Sequence, residues 1–105
     1  MAASLEQDRL RNVLLALIEL LESLGEPHAG HAEGLRRLDR MVEEARDRDS
    51  PELLQDAVRT ILSLYGGMGS FQDLILQNAQ GVLPEQDRFQ ELQDRLFQAA
   101  WEELR

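Results

Sequence analysis

Leu10-Arg11-Asn12-Val13-Leu14-Leu15-Ala16-Leu17-Ile18-Glu19-Leu20-Leu21-Glu22-Ser23-Leu24-Gly25 is the stretch on which the fold turns. From Leu10 onward the apolar residues recur three or four apart, at Val13, Leu14, Leu17, Leu20, Leu21 and Leu24, which is the period of one helical face. Gly25 then stops the helix, and Ser4 with Gln7 three residues later predicts its start as a capping box. A polar stripe of Asp8, Asn12, Glu19 and Glu22 lies opposite, but Leu15 interrupts it and Ile18 widens the apolar side. A helix this greasy is expected to pack centrally or to serve a partner.

Working outward, Glu26-Pro27 breaks the chain. A second helix with a narrow apolar stripe follows, made of His28, His31, Leu35, Leu38, Val42 and Ala45, and its start is expected between Pro27 and Glu33 because Gly30 and Gly34 weaken the first turns. Arg46-Asp47-Arg48-Asp49 reads as a solvated exit. Ser50-Pro51-Glu52 opens a third helix with an N-cap residue, a proline in the first turn and an acidic side chain near the positive end of the dipole. Its apolar face is Leu54, Ala57, Val58, Ile61, Leu62 and Tyr65, opposed by Glu52, Asp56, Arg59 and Ser63, and Gly66-Gly67 ends it. Ser70 and Asp73 then predict a short helix through Phe71, Leu74, Ile75 and Ala79, closed by Gly81. Pro84 begins the last helix, with Phe89, Leu92, Leu96 and Ala100 inward, Phe97 and Leu104 widening that side, and Trp101 near its edge. No strand pattern is expected. The prediction is a single all-α domain over residues 1–105, a compact bundle of about five helices, four long and one short after the Gly-rich turn.

Composition narrows the function classes. The chain has 105 residues, 43% of them apolar and 30% charged, as in an ordinary folded domain. Its formal net charge of −9 opposes nucleic acid and anionic membrane surfaces as partners. The absence of cysteine rules out disulfides and thiolate chemistry. Neither a leader nor an apolar run long enough to span a bilayer is present, so a cytoplasmic protein is expected.

Three clusters are candidates for chemistry. The turn Tyr65-Gly66-Gly67-Met68-Gly69-Ser70-Phe71, with Asp73, leads into a helix N-terminus whose amides suit an anion. It has no lysine, and Asp73 competes for the same amides, so it reads first as a tight helix corner and then as an apolar recognition turn through Tyr65, Met68 and Phe71. His28 and His31, three apart, share a helical face but make only two metal ligands, and are expected to cap the end of the core. Arg36, Arg37 and Arg40, the basic cluster, are expected to pair with Glu43, Glu44 or acids of the first helix, with an acidic partner or bound anion as the sharper reading. Ser4, Ser23, Ser50, Ser63 and Ser70 include no nucleophile elbow, so no catalytic residue, metal or cofactor is expected and the chain reads as a non-enzyme.

Residues 61–76, with Tyr65-Gly66-Gly67-Met68-Gly69-Ser70 followed by Asp73-Leu74, resemble the signature of a family of small bacterial all-helical proteins of unknown function. The resemblance implies that Gly66, Gly67, Met68, Gly69, Ser70 and Asp73 work as one unit; it brings no activity and no catalytic residue. Where the family has an aromatic residue early in the second helix, this chain has His31.

These features favour a protein-interaction domain, acidic and of the immunity or antitoxin type, that covers a basic protein. A self-associating structural protein, burying Leu15 or Trp101 in a homodimer, and a small-anion binder at the turn from Gly66 to Ser70 are the alternatives. Substituting Gly67→Val is expected to lower the melting temperature more than Gly30→Ala, because the turn demands a backbone torsion that β-branching forbids; equal shifts in thermal melts reject that reading of the turn.

Overall fold

The computed structural model describes residues 8–26, 28–64 and 75–104. Four helices carry the architecture: α1 (Arg9–Ser23), α2 (Ala29–Asp47), α3 (Pro51–Ser63) and α4 (Gln86–Glu103). A small antiparallel hairpin, β1 (Gln77–Asn78) and β2 (Gly81–Val82), precedes α4. The all-α expectation therefore holds at the level of the bundle. The cap of α1 is Asp8, whose side chain accepts from the Arg11 amide at 3.3 Å, whereas Ser4 and Gln7 lie outside the described residues. As read from sequence, Ser50 caps α3 by accepting from the Leu53 amide at 3.2 Å.

Leu10, Leu14, Leu17 and Leu21 of α1 are all buried, and they face Leu35, Leu38 and Val42 of α2, Ala57, Val58 and Ile61 of α3, and Phe89, Leu92 and Leu96 of α4 in a single core. α1 packs against α2 and α4, and α3 closes the ring against the same two helices. Ion pairs fix the directions: Arg9 at the start of α1 meets Glu102 at the end of α4, and Arg46 at the end of α2 meets Asp8 beside the start of α1. With only residues 48–50 joining α2 to α3, successive helices alternate in direction, as in an up-and-down bundle.

The short fifth helix expected through Phe71, Leu74, Ile75 and Ala79 is not present from Ile75 to Ala79. Residues 71–74 lie outside the described residues, and from Ile75 the chain is extended and then paired, with Gln77 opposite Val82 and Asn78 opposite Gly81. Gly81 sits at φ +123°, a torsion that side-chain-bearing residues avoid, and this lets the chain reverse into β2. Buried Leu76 inserts into the core while its amide donates to Gln86 Oε1 at 2.7 Å and its carbonyl accepts from the Leu83 amide at 2.8 Å. Those bonds would be lost in a continuous helix. They also explain why α4 starts at Gln86 rather than at Pro84, which stands in the preceding turn.

Glycine ends α1 as predicted, Gly25 adopting φ +72°. The end of α2 reaches the same geometry without glycine. Asp49 sits at φ +50°, its amide donates to the Arg46 carbonyl, and the Ser50 amide donates to the Ala45 carbonyl, the paired bonds of a Schellman cap. Asp49→Val is expected to cost about 1–3 kcal/mol, because a β-branched residue resists this torsion, while Asp49→Gly is expected to be tolerated. Thermal melts that place the two variants together would refute this account of the corner. In the same vein, a Cβ built at Gly30 meets only Glu26 Oε2, at 3.6 Å, so that helical position accepts alanine.

The end of the bundle where α1 begins is locked by arginine. Arg11 clamps the buried carboxylate of Asp39 through two bonds, of 2.9 and 3.1 Å, and reaches Glu43 at 2.8 Å. Arg46 grips Asp8 in the same two-pronged way, at 3.1 and 3.2 Å, and adds Glu103 at 2.6 Å. The exit at residues 46–49 is exposed as expected, and Arg46 in addition joins three helices. Its partners lie 38 and 57 residues away in the chain. The hydrogen bond to Asp39 holds the Arg11 guanidinium pKa up despite burial, and that to Asp8 does so for Arg46; both therefore stay cationic. Asp39→Ala removes two of the three bonds that hold a partly buried guanidinium, leaving only the exposed Glu43, and is expected to cost about 1.5–3 kcal/mol in urea unfolding. Glu102→Ala, which frees only the exposed Arg9, is expected to cost less than about 1 kcal/mol. Equal losses would show that the Asp39 clamp carries no special weight.

Candidate functional site

The predicted interaction turn, Tyr65, Gly66, Gly67, Met68, Gly69, Ser70, Phe71 and Asp73, lies outside the described residues. Its two roots are described. Leu64, at the end of α3, is half-buried against the core, and on the far side Leu76 is fully buried. Both ends of the segment are therefore pinned to the bundle. Beyond it, the hairpin is pinned a second time by His28, whose Nε2 donates to the Gln77 carbonyl at 3.1 Å. A carbonyl only accepts, so the proton must sit on Nε2. Next to this junction, Gln86 Nε2 and Glu85 Oε2 are buried without a hydrogen-bond partner among the described residues.

The two histidines part company. His28 is buried, as expected of a residue covering the end of the core, and it also ties the N-terminus of α2 to the hairpin, a contact the sequence did not announce. His31 is exposed, so it does not cover the end of the core as its place in the stripe suggests. Ala32 takes the inward position instead. Among the described residues no cluster of three or more histidine or carboxylate side chains is arranged to hold a metal ion.

The basic cluster also divides. Arg36 pairs with Glu22 of α1, one of the partners the sequence offered. Glu43 and Glu44, the other expected partners, are taken by Arg11 and Arg48. Arg37 and Arg40, like Arg59 of α3, form no ion pair among the described residues.

Sequence reasoning gave little weight to the outward face of α4. Phe97 and Trp101, one turn apart, meet edge to face with ring centroids 6.1 Å apart and an interplanar angle of 69°. They stay 38% and 48% exposed, high for residues that normally contribute large buried area. Among the described residues of α4 both arginines are occupied, since Arg88 and Arg95 each bind Glu91, at 3.2 and 2.6 Å. Asp87 and Asp94 are exposed and form no ion pair among the described residues. An aromatic step beside uncompensated carboxylates results. The signal in the sequence was Trp101 falling at the edge of an otherwise regular apolar stripe.

No helix among the described residues is long and apolar enough to cross a membrane. No curated protein and no solved structure matches the chain. Residues 22–85 match a family described as Domain of unknown function (DUF6966), a span that runs from the end of α1 through α2, α3, the glycine turn and the hairpin to the residue before α4. With more than half of its length inside that match, the chain belongs to this family.

Proposed function

We propose that the chain is a non-enzymatic, cytoplasmic protein-binding domain that presents an acidic helical surface to a basic protein, as an immunity or antitoxin-type protein does. The observation that supports this reading is the charge left over once internal pairing is complete. Among the described residues Arg37, Arg40 and Arg59 are the arginines with no carboxylate partner, whereas Glu19, Asp47, Glu52, Asp56, Asp87 and Asp94 are among the carboxylates with no arginine. Unpaired anions spread over the outer faces of several helices steer a basic partner by long-range attraction and repel other anions.

The competing readings meet the same field. A symmetric homodimer must bring together two bodies of charge −9 each. An anion at the turn from Gly66 to Ser70, outside the described residues, would meet the carboxylate of Asp73 three residues further along the sequence. A basic protein partner faces neither penalty.

Affinity capture from the native host at low ionic strength is expected to retain a basic protein, and about 0.5 M salt is expected to release it as the Debye length contracts. Retention of nothing, or retention indifferent to salt, rejects the proposal.

A further inference from the structure

We propose that the outward face of α4 is the docking site for a cationic amphipathic helix of the partner, with Phe97 and Trp101 as the apolar anchor and Asp87 and Asp94 as its counter-charges. This rests on the acidic-binder reading and adds to it a place and a partner chemistry. Asp87, Asp94, Phe97 and Trp101 are spaced seven, three and four residues apart, so they lie along one stripe of the helix, about 21 Å long at 1.5 Å per residue. The stripe grades from carboxylate at its start to aromatic at its end. Neither Arg88 nor Arg95 neutralises it, because both are held by Glu91.

Charge complementarity selects the occupant. A second copy of the chain would bring its own Asp87, Asp94 and net charge of −9 to the contact, and an anionic lipid surface or a nucleic acid would be repelled by the same groups. A helix with arginine or lysine on one flank and aliphatic side chains on the other satisfies both halves of the stripe. Its cations meet Asp87 and Asp94, its aliphatic side chains cover the Phe97 and Trp101 rings, and a cation placed over the Trp101 face gains a further attraction. The aromatic pair lies beyond the residues that match the family, so the family match plays no part in placing this surface.

Trp101 is the sole tryptophan of the chain, so its fluorescence reports on this face alone. The probe is a synthetic helical peptide of about 14 residues, the length of the stripe, with leucine on one face and arginine on the other; its comparator carries glutamate in place of arginine. With the full chain at low salt, the leucine–arginine peptide is expected to move Trp101 emission to shorter wavelength in a saturable way, and the glutamate peptide to leave it unchanged. Either Phe97→Ala or the double variant Asp87→Asn, Asp94→Asn, each checked for native helix content by circular dichroism, is expected to weaken binding about tenfold or more.

No emission shift with the leucine–arginine peptide overturns the proposal, as does undiminished affinity in the double variant. A shift that follows protein concentration alone, with a doubled mass in sedimentation, overturns it in favour of a second copy. If Trp101→Ala and Phe97→Ala still capture the native basic partner in a salt-dependent way as well as the unaltered chain does, the face is wrong while the acidic-binder reading stands. If the unaltered chain captures nothing, that broader reading has failed.

Discussion

Leu10, Leu14, Leu17 and Leu21 repeat at intervals of four, three and four residues, and the line they draw down α1 must leave water on both flanks. Fully burying each leucine is worth about 1.5–3 kcal/mol, so no single surface contact in the molecule competes with closing that line. One neighbour is not enough, because Ile18 is buried as well and Val13, Leu20 and Leu24 are partly covered. α2 and α4 accordingly both pack on α1. α3 then fills the gap between them with Ala57, Val58 and Ile61.

Apolar burial leaves register loosely specified, since leucine tolerates leucine at many offsets. Arginine supplies the missing specification. Arg11 can reach both Asp39 oxygens, and Arg46 both Asp8 oxygens, at only one axial offset of α1 against α2. The planar guanidinium fork makes these geometric constraints as well as charge pairs. Asp8 serves twice, because the carboxylate that caps α1 is also the one Arg46 holds. The start of one helix and the end of its neighbour are thereby fixed by the same two oxygens.

How much of this could be read from the chain depends on the range of the interaction. The start of α3 was legible because Ser50, Pro51 and Glu52 act on their own backbone within one turn. The leucine face of α1 was legible because its period is local. Residues 75–79 were misread as helix because the short apolar run Ile75-Leu76 fits a helix or a strand equally well, and the Ala79-Gln80 loop lacks the Asn-Gly or Asp-Gly signature of a hairpin. What decides between them is non-local: the carboxamide of Gln86 and the ring of His28 hold the segment extended. The partners of Arg46 were not legible for the same reason, since nothing near it in the chain announces Asp8 or Glu103. Of the candidate sites, the divided fates of His28 and His31 depend on which residues arrive from the hairpin. The outward aromatic pair of α4 was visible only as a tryptophan slightly off the stripe.

The span that matches the family contains α2 and α3 but little of α1 and none of α4. Leu35, Leu38, Val42, Ala57, Val58 and Ile61 share one core with the leucine line of α1 and with Phe89, Leu92 and Leu96 of α4, so the core extends beyond the matched segment. α4 contributes to it with its inner positions, and Phe97 and Trp101 are not among them. A helix whose inward side is committed to the core, and whose outward side carries exposed rings and carboxylates, can accept substitutions outward without disturbing what it holds together.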